Sequence, residues 1–121
     1  MPPFLIYGTF MRGQPGHDNL AGAERLGAVE TAARYRLWEI DGRWPALIEA
    51  DDGVPIAGEL YEIAPAHVER LAELEPPGWE RSTVELMEGS SVEAFLADPA
   101  LRERGVDVSR HGGWAAYRAE R

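Results

Sequence analysis

Two short stretches of this 121-residue chain hold residues whose type and spacing could do chemistry. One is Tyr7-Gly8-Thr9-Phe10, which closes the apolar run Phe4-Leu5-Ile6-Tyr7. A glycine at that point lets the backbone turn and present consecutive N–H groups, and such a concavity binds anions. It would suit a substrate carboxylate or a developing oxyanion. Taken alone, the same four residues read first as a tight strand-to-loop turn. The other stretch is Glu75 with Pro76, Pro77 and Trp79 behind it. A single glutamate in so acidic a chain is most often a solvated surface group. The setting of Glu75 is less ordinary, because it falls at the expected C-terminus of an apolar helix, where the negative end of the helix dipole disfavours ionisation. Pro76 and Pro77 bring no N–H groups to stabilise a carboxylate, and Trp79 is near enough in sequence to shield it from water. Each of these raises a carboxyl pKa toward the neutral range that general acid–base catalysis uses.

Other chemistries find little support. There is no cysteine, so neither disulfides nor a thiol nucleophile can contribute. The basic residues are all arginine, which excludes Schiff-base chemistry through lysine. No phosphate loop with lysine, dinucleotide fingerprint, zinc-protease helix or serine nucleophile elbow occurs. His17, His67 and His111 are scattered without metal-ligand spacing, so neither a metal nor a cofactor is expected. A formal charge of −9 argues against nucleic acid and anionic membranes as partners, and serves chiefly to keep the protein soluble. No apolar run approaches the ~20 residues of a membrane span. Met1-Pro2-Pro3 lacks the basic, then apolar, pattern of a secretory signal, which makes the cytoplasm the expected location.

The elements that must position these residues follow from periodicity and turn chemistry. The length suits a single domain over residues 1–121, with no linker or repeat. The run Phe4 to Tyr7 predicts a buried central strand and Gly8 to Gly16 a loop, with a short helix from His17 to Leu26. Alternating apolar positions predict a strand from Val29 to Leu37, and Asp41-Gly42 marks a turn. Pro45 to Ile48 and Ile56 to Ile63 read as further strands, separated by a turn at Asp51-Asp52-Gly53. Pro65 opens a helix striped by Val68, Leu71, Ala72 and Leu74, which Pro76 ends after Glu75. Strands follow at Ser82 to Met87 and Val92 to Leu96. Asp98-Pro99 starts a last helix and Gly105 stops it. The aromatic tail around Trp114 and Tyr117 is expected to pack back on the body. This is an α+β pattern of five or six mostly antiparallel strands, suggesting a curved sheet or small barrel with flanking short helices.

Taken in order, three segments resemble the γ-glutamylcyclotransferase-like (AIG2-like) family. They are Phe4 to Gly13 around Tyr7-Gly8-Thr9; Trp44-Pro45-Ala46-Leu47 with Val54 and Gly58-Glu59-Leu60-Tyr61-Glu62-Ile63; and Leu71-Ala72-Glu73-Leu74-Glu75 with Trp79-Glu80-Arg81. Phe10 stands where the family usually has leucine, Ala72 for its aspartate, Pro76 for its glycine and Trp79 for its tyrosine. The last third, from Ser82 to Leu86 through Ala94-Phe95-Leu96 to Gly112-Gly113-Trp114-Ala115-Ala116-Tyr117, is similar to the allophanate hydrolase C-terminal domain, which shares the fold.

The resemblance implies a small β-barrel and a cofactor-independent cyclotransferase that cleaves a γ-glutamyl amide or peptide to 5-oxoproline and a free amine. It places the general acid/base on Glu75 and the substrate-binding residues at Tyr7, Gly8, Thr9, Phe10 and Trp79. The partner would be a small γ-glutamyl molecule, and the protein a monomer or homodimer. The alternative is a non-catalytic module that binds a protein partner or a metabolite, as a relative of the allophanate hydrolase domain. The identity of the leaving amine is not encoded in these motifs.

Overall fold

The computed structural model describes residues 3–120, so Met1 and Pro2 of the N-terminal reading lie outside the described residues. Eight strands form two sheets. β1 (Pro3–Ile6), β2 (Glu24–Glu30), β5 (Ala57–Glu62), β6 (Trp79–Glu85) and β7 (Ser91–Ala97) make a five-stranded sheet in the order β2-β5-β1-β7-β6. β3 (Tyr35–Ile40), β4 (Trp44–Glu49) and β8 (Gly105–Asp107) make a three-stranded sheet in the order β4-β3-β8. Pairing between these strands is antiparallel except where β1 runs parallel to β7. Two α-helices, α1 (Pro65–Leu74) and α2 (Trp114–Ala119), and three short 3₁₀ turns are the other elements among the described residues. The expected α+β class and mostly antiparallel pairing are present. The strand number is eight rather than five or six, and the sheets remain open, with β2 and β6 at the ends of one and β4 and β8 at the ends of the other.

Local chemistry explains most boundaries. β1 is the run Phe4-Leu5-Ile6, buried on both faces because β5 and β7 flank it and further elements cover the sheet. The hairpin from β3 to β4 turns at Asp41 and Gly42, with φ of 54° and 71°, conformations that short polar residues and glycine tolerate best. α1 begins with Pro65 at its first turn, where the missing N–H has no partner to lose, and buries Val68 and Leu71. Asp98 caps the 3₁₀ turn Pro99–Arg104 by accepting a hydrogen bond from Ala100 N at 2.9 Å.

Two expectations from the sequence are corrected. The helix predicted for residues 17–26 is a single 3₁₀ turn, His17–Leu20, and the chain from Glu24 onward joins β2. Gly22, at φ 93°, sits between the two and favours a reversal over helix propagation. The strand predicted from Val29 to Leu37 is two strands in different sheets. The chain crosses over at Thr31-Ala32, where Thr31 N donates to Ile56 O, Ile56 N donates to the Thr31 hydroxyl, and Ala32 N donates to Glu85 O. Alternation alone cannot reveal that crossing, because the apolar period continues through it.

The core lies where the two sheets pack on each other. Leu37, Ile40, Leu47 and Ile48 from the smaller sheet join Phe4, Leu5, Val84 and Phe95 from the larger one. The C-terminal segment packs back as expected, with Trp114 only 1% exposed. Two polar ties cross between the sheets at β4. The Tyr7 hydroxyl donates to Phe95 O (2.6 Å) and accepts from Leu47 N (3.2 Å), while Trp79 Nε1 donates to Pro45 O (3.0 Å). These ties fix β4 against the end of β1, where the cavity described next opens.

Candidate active site

At the C-terminal end of β1 a small cavity opens between three elements. Its floor is Leu5, Ile6, Tyr7, Gly8 and Phe95, all buried. Its rim is Thr9, Phe10, Trp44, Pro45, Leu74 and Glu75, all half-buried or exposed. The volume is about 60 Å³, room for a few waters or one end of a ligand. The fold therefore brings together the two stretches singled out in the sequence: the loop from Tyr7 to Phe10 comes from β1, and Glu75 from the end of α1.

The loop has its carbonyls tied down and its donors left open. Gly8 O accepts from Met11 N (3.1 Å), Thr9 O from Gly16 N (2.9 Å), and Phe10 O from His17 Nδ1 (2.9 Å). A carbonyl can only accept, so His17 carries its hydrogen on Nδ1. Among the described residues, the N–H groups of Gly8, Thr9 and Phe10 donate to no protein acceptor. These three residues, whose N–H groups have no protein acceptor, all belong to the cavity lining. Gly8 is required here for closeness rather than for a left-handed backbone, since a Cβ at this position would meet Pro45 Cγ at 2.3 Å.

Glu75 caps the end of α1 in extended conformation (φ −77°, ψ 138°), its N–H bonded to Ala72 O at 3.2 Å. Its carboxyl finds no protein hydrogen-bond donor among the described residues, and no other charged side chain lines the cavity. Burial pushes the Glu75 pKa up to about 7. The sequence reading gave the helix dipole, the proline pair and Trp79 as reasons for such a rise. In the structure the cause is burial, which removes the carboxyl from water; Trp79 is not in the cavity lining. A carboxyl poised near neutrality can both accept and deliver a proton.

The remaining predicted residues divide by role. Thr9 and Phe10 stand on the rim, and Gly8 on the floor. Tyr7 contributes its ring to the floor, but its hydroxyl is spent on Phe95 O and Leu47 N, and burial, then the charge of Glu75, holds its pKa well above the usual phenol range. Trp79 is buried, donates to Pro45 O on the rim and is not in the lining. Arg12, Arg43 and Arg81 do not line it either. Arg81 pairs with Glu93 at 3.0 Å, and the Arg43 guanidinium lies 4.3 Å over the Trp44 ring. Trp44, Pro45, Leu74 and Phe95 line the cavity without having been singled out as site residues. The Trp44-Pro45 pair was visible as a motif, but nothing in its spacing placed it opposite Glu75.

No described residues group three or more His, Asp or Glu side chains in a way that could hold a metal ion. Among the described residues no helix is long and apolar enough to cross a membrane.

Comparison with known proteins places these features in a lineage. Residues 3–119 match the model of the allophanate hydrolase C-terminal domain, so the likeness covers nearly the whole chain and not only its last third. A Vibrio cholerae protein named "Putative gamma-glutamylcyclotransferase" is 32% identical over 89 residues, covering 72% of this chain and 75% of that one. The crystal structure of a uropathogenic E. coli-specific protein superposes with a TM-score of 0.91 at 29% identity, covering 99% of this chain and 97% of the other. An AIG2-like protein from Mus musculus superposes with a TM-score of 0.67 at 26% identity, over 84% of this chain and 78% of the other.

Proposed function

The chain belongs to the allophanate hydrolase C-terminal domain family, with a γ-glutamylcyclotransferase-like fold, and on that footing we propose that it is a cyclotransferase acting on γ-glutamyl amides. The observation that carries this reading is the meeting of Glu75, its pKa near 7, with the open N–H groups of Gly8, Thr9 and Phe10 at one cavity.

The reaction needs two things from the protein. An anionic group of the substrate, its α-carboxylate or the oxyanion forming on the γ-carbonyl, must be held; the donors of the Gly8–Phe10 loop do this without a charged side chain. A proton must move from the α-ammonium to the departing nitrogen. Glu75 as carboxylate takes one ammonium proton, and the freed amine attacks the γ-carbonyl carbon. The carbon–nitrogen bond of the amide then breaks, and Glu75 delivers its proton to the leaving nitrogen. Of the three ammonium protons, one stays on the lactam nitrogen, one travels through Glu75, and the third goes to the released amine or to solvent. The products are 5-oxoproline and the amine, with no change of oxidation state. Ring closure is intramolecular, so orientation supplies much of the acceleration.

The test is 5-oxoproline release from γ-glutamyl substrates, followed by mass spectrometry, with wild type and Glu75→Gln in parallel. A loss of at least about 10²-fold on substitution is expected of a general acid–base group.

The family match favours one other reading, a binding module without turnover. In that case the same cavity holds a small anionic metabolite or a peptide carboxylate, and no substrate is consumed. Binding without turnover by wild-type protein across the substrate set is its signature.

A further inference from the structure

His17 and His67 do not line the cavity, and neither takes part in the proton transfer proposed above. Both act on the 3₁₀ turn His17–Leu20. His17, its first residue, is half-buried and donates from Nδ1 to Phe10 O at 2.9 Å. Of the three carbonyls tied down in the site loop, Phe10 O is the one held by a side chain; backbone N–H groups hold Gly8 O and Thr9 O. His67, in the first turn of α1, is buried, and its Nε2 lies 2.6 Å from Asn19 O. A carbonyl only accepts, so this ring carries a hydrogen on Nε2 and donates it. Among the described residues it is the one side-chain hydrogen bond that α1 makes. The turn between the two rings is itself well held. Asn19 N and Asn19 Nδ2 both donate to Gly16 O at 3.0 Å, Ala21 N donates to Asp18 O at 3.1 Å, and Leu20 is buried in the core.

We infer that His17 and His67 are positioning residues that, through the turn His17–Leu20, brace the loop carrying the open N–H groups against the helix carrying Glu75. The effect on turnover rests on the cyclotransferase reading of the same site. The two halves of that site come from β1 and α1, and the reaction needs the bound anion and the carboxyl at a fixed separation. His67 stands about 12 Å along α1 from Glu75, at about 1.5 Å per residue, and the helix between them moves as one piece. Neither ring touches substrate, and no bond of the reaction forms or breaks on them.

The experiment exploits the position of the donor. An asparagine amide nitrogen stands where histidine has Nδ1, and a glutamine amide nitrogen reaches to where it has Nε2; both can donate. His17→Asn and His67→Gln keep the donor in place, whereas His17→Gln and His67→Asn move it. With γ-glutamylalanine and γ-glutamylanilide as substrates, the first two are expected to stay within about threefold of wild type in kcat/KM, and the second two to lose about tenfold or more, since a misplacement of about 1 Å costs up to about 10²-fold. A merely structural role would not favour asparagine at one position and glutamine at the other. Equal activity within each pair would overturn the brace.

A second measurement needs no turnover. In proton–nitrogen correlation spectra, His67→Asn is expected to shift the amide signals of Gly8, Thr9 and Phe10, and His67→Gln to leave them in place. Loop signals unmoved by His67→Asn would overturn the brace. Should His67→Asn fail to fold, the His17 pair decides in the same way, read at the amides of α1. Folded wild type that releases no 5-oxoproline would instead sink the cyclotransferase reading, and the amide signals alone would then decide the brace.

Discussion

Gly8 and Pro45 touch where the end of β1 meets the start of β4: a Cβ on Gly8 would lie 2.3 Å from Pro45 Cγ and 2.9 Å from Pro45 Cβ. The contact sets the site loop directly against Pro45 on the cavity rim. Gly8→Ala must push β4 away or bend the loop, and overpacking of this kind costs about 1–3 kcal/mol. A fall in the urea midpoint by that amount is expected. An unchanged midpoint would mean that the contact is not held in solution.

Tyr7→Phe tests the polar tie beneath the cavity. It removes the donor to Phe95 O and the acceptor of Leu47 N, both buried, and leaves two backbone groups without their partner. Each unsatisfied group costs about 1–3 kcal/mol, so a clear loss of stability is expected in denaturant titration. Stability equal to wild type would show that the hydroxyl does not join the sheets.

The raised pKa of Glu75 makes a signed prediction about stability. Its folded value is about 7 against an ordinary 4.5, so between these pH values the folded state holds a proton that the unfolded state has released. The contribution of this group is therefore fully present below pH 4.5 and is lost as pH rises through 7. Glu75→Gln cannot ionise and escapes that loss. At pH 8 it is expected to be more stable than wild type, by at most about 3 kcal/mol and less in so far as water reaches the carboxyl. Near pH 4 the advantage vanishes. A stability difference that does not change with pH would contradict the buried setting of this carboxyl.

Much of this arrangement was legible in the sequence, and the reasons for what was not are physical. The run Phe4-Leu5-Ile6 and the helix Pro65–Leu74 are local patterns and fell where the pattern put them, with Val68 and Leu71 of the stripe buried and Leu74 left exposed. β2 escaped notice because it is an end strand, interrupted by a register shift between Arg25 and Gly27 and flanked by a turn that resembles a helix start. β8 has three residues and exists only because Trp38, Glu39 and Ile40 lie opposite it, which is information from a distant part of the chain. For the site, Glu75 and the Gly8 loop could be named from residue type and setting. Trp79 was linked to Glu75 by nearness in sequence; its indole donates to Pro45 O, on the cavity rim, and is not itself in the lining. The rim residues Trp44 and Leu74 become partners only through the packing of β4 and α1 around the end of β1, and no local period encodes that.

The most direct test of the central claim is the pH dependence of 5-oxoproline release by wild type and Glu75→Gln, measured with γ-glutamylanilide and γ-glutamylalanine. The account predicts a wild-type kcat/KM that rises with an apparent pKa near 7, as the Glu75 carboxylate forms, and a loss of at least about 10²-fold in the variant. Turnover by Glu75→Gln equal to wild type, or no turnover by folded wild-type protein at any pH, would contradict it.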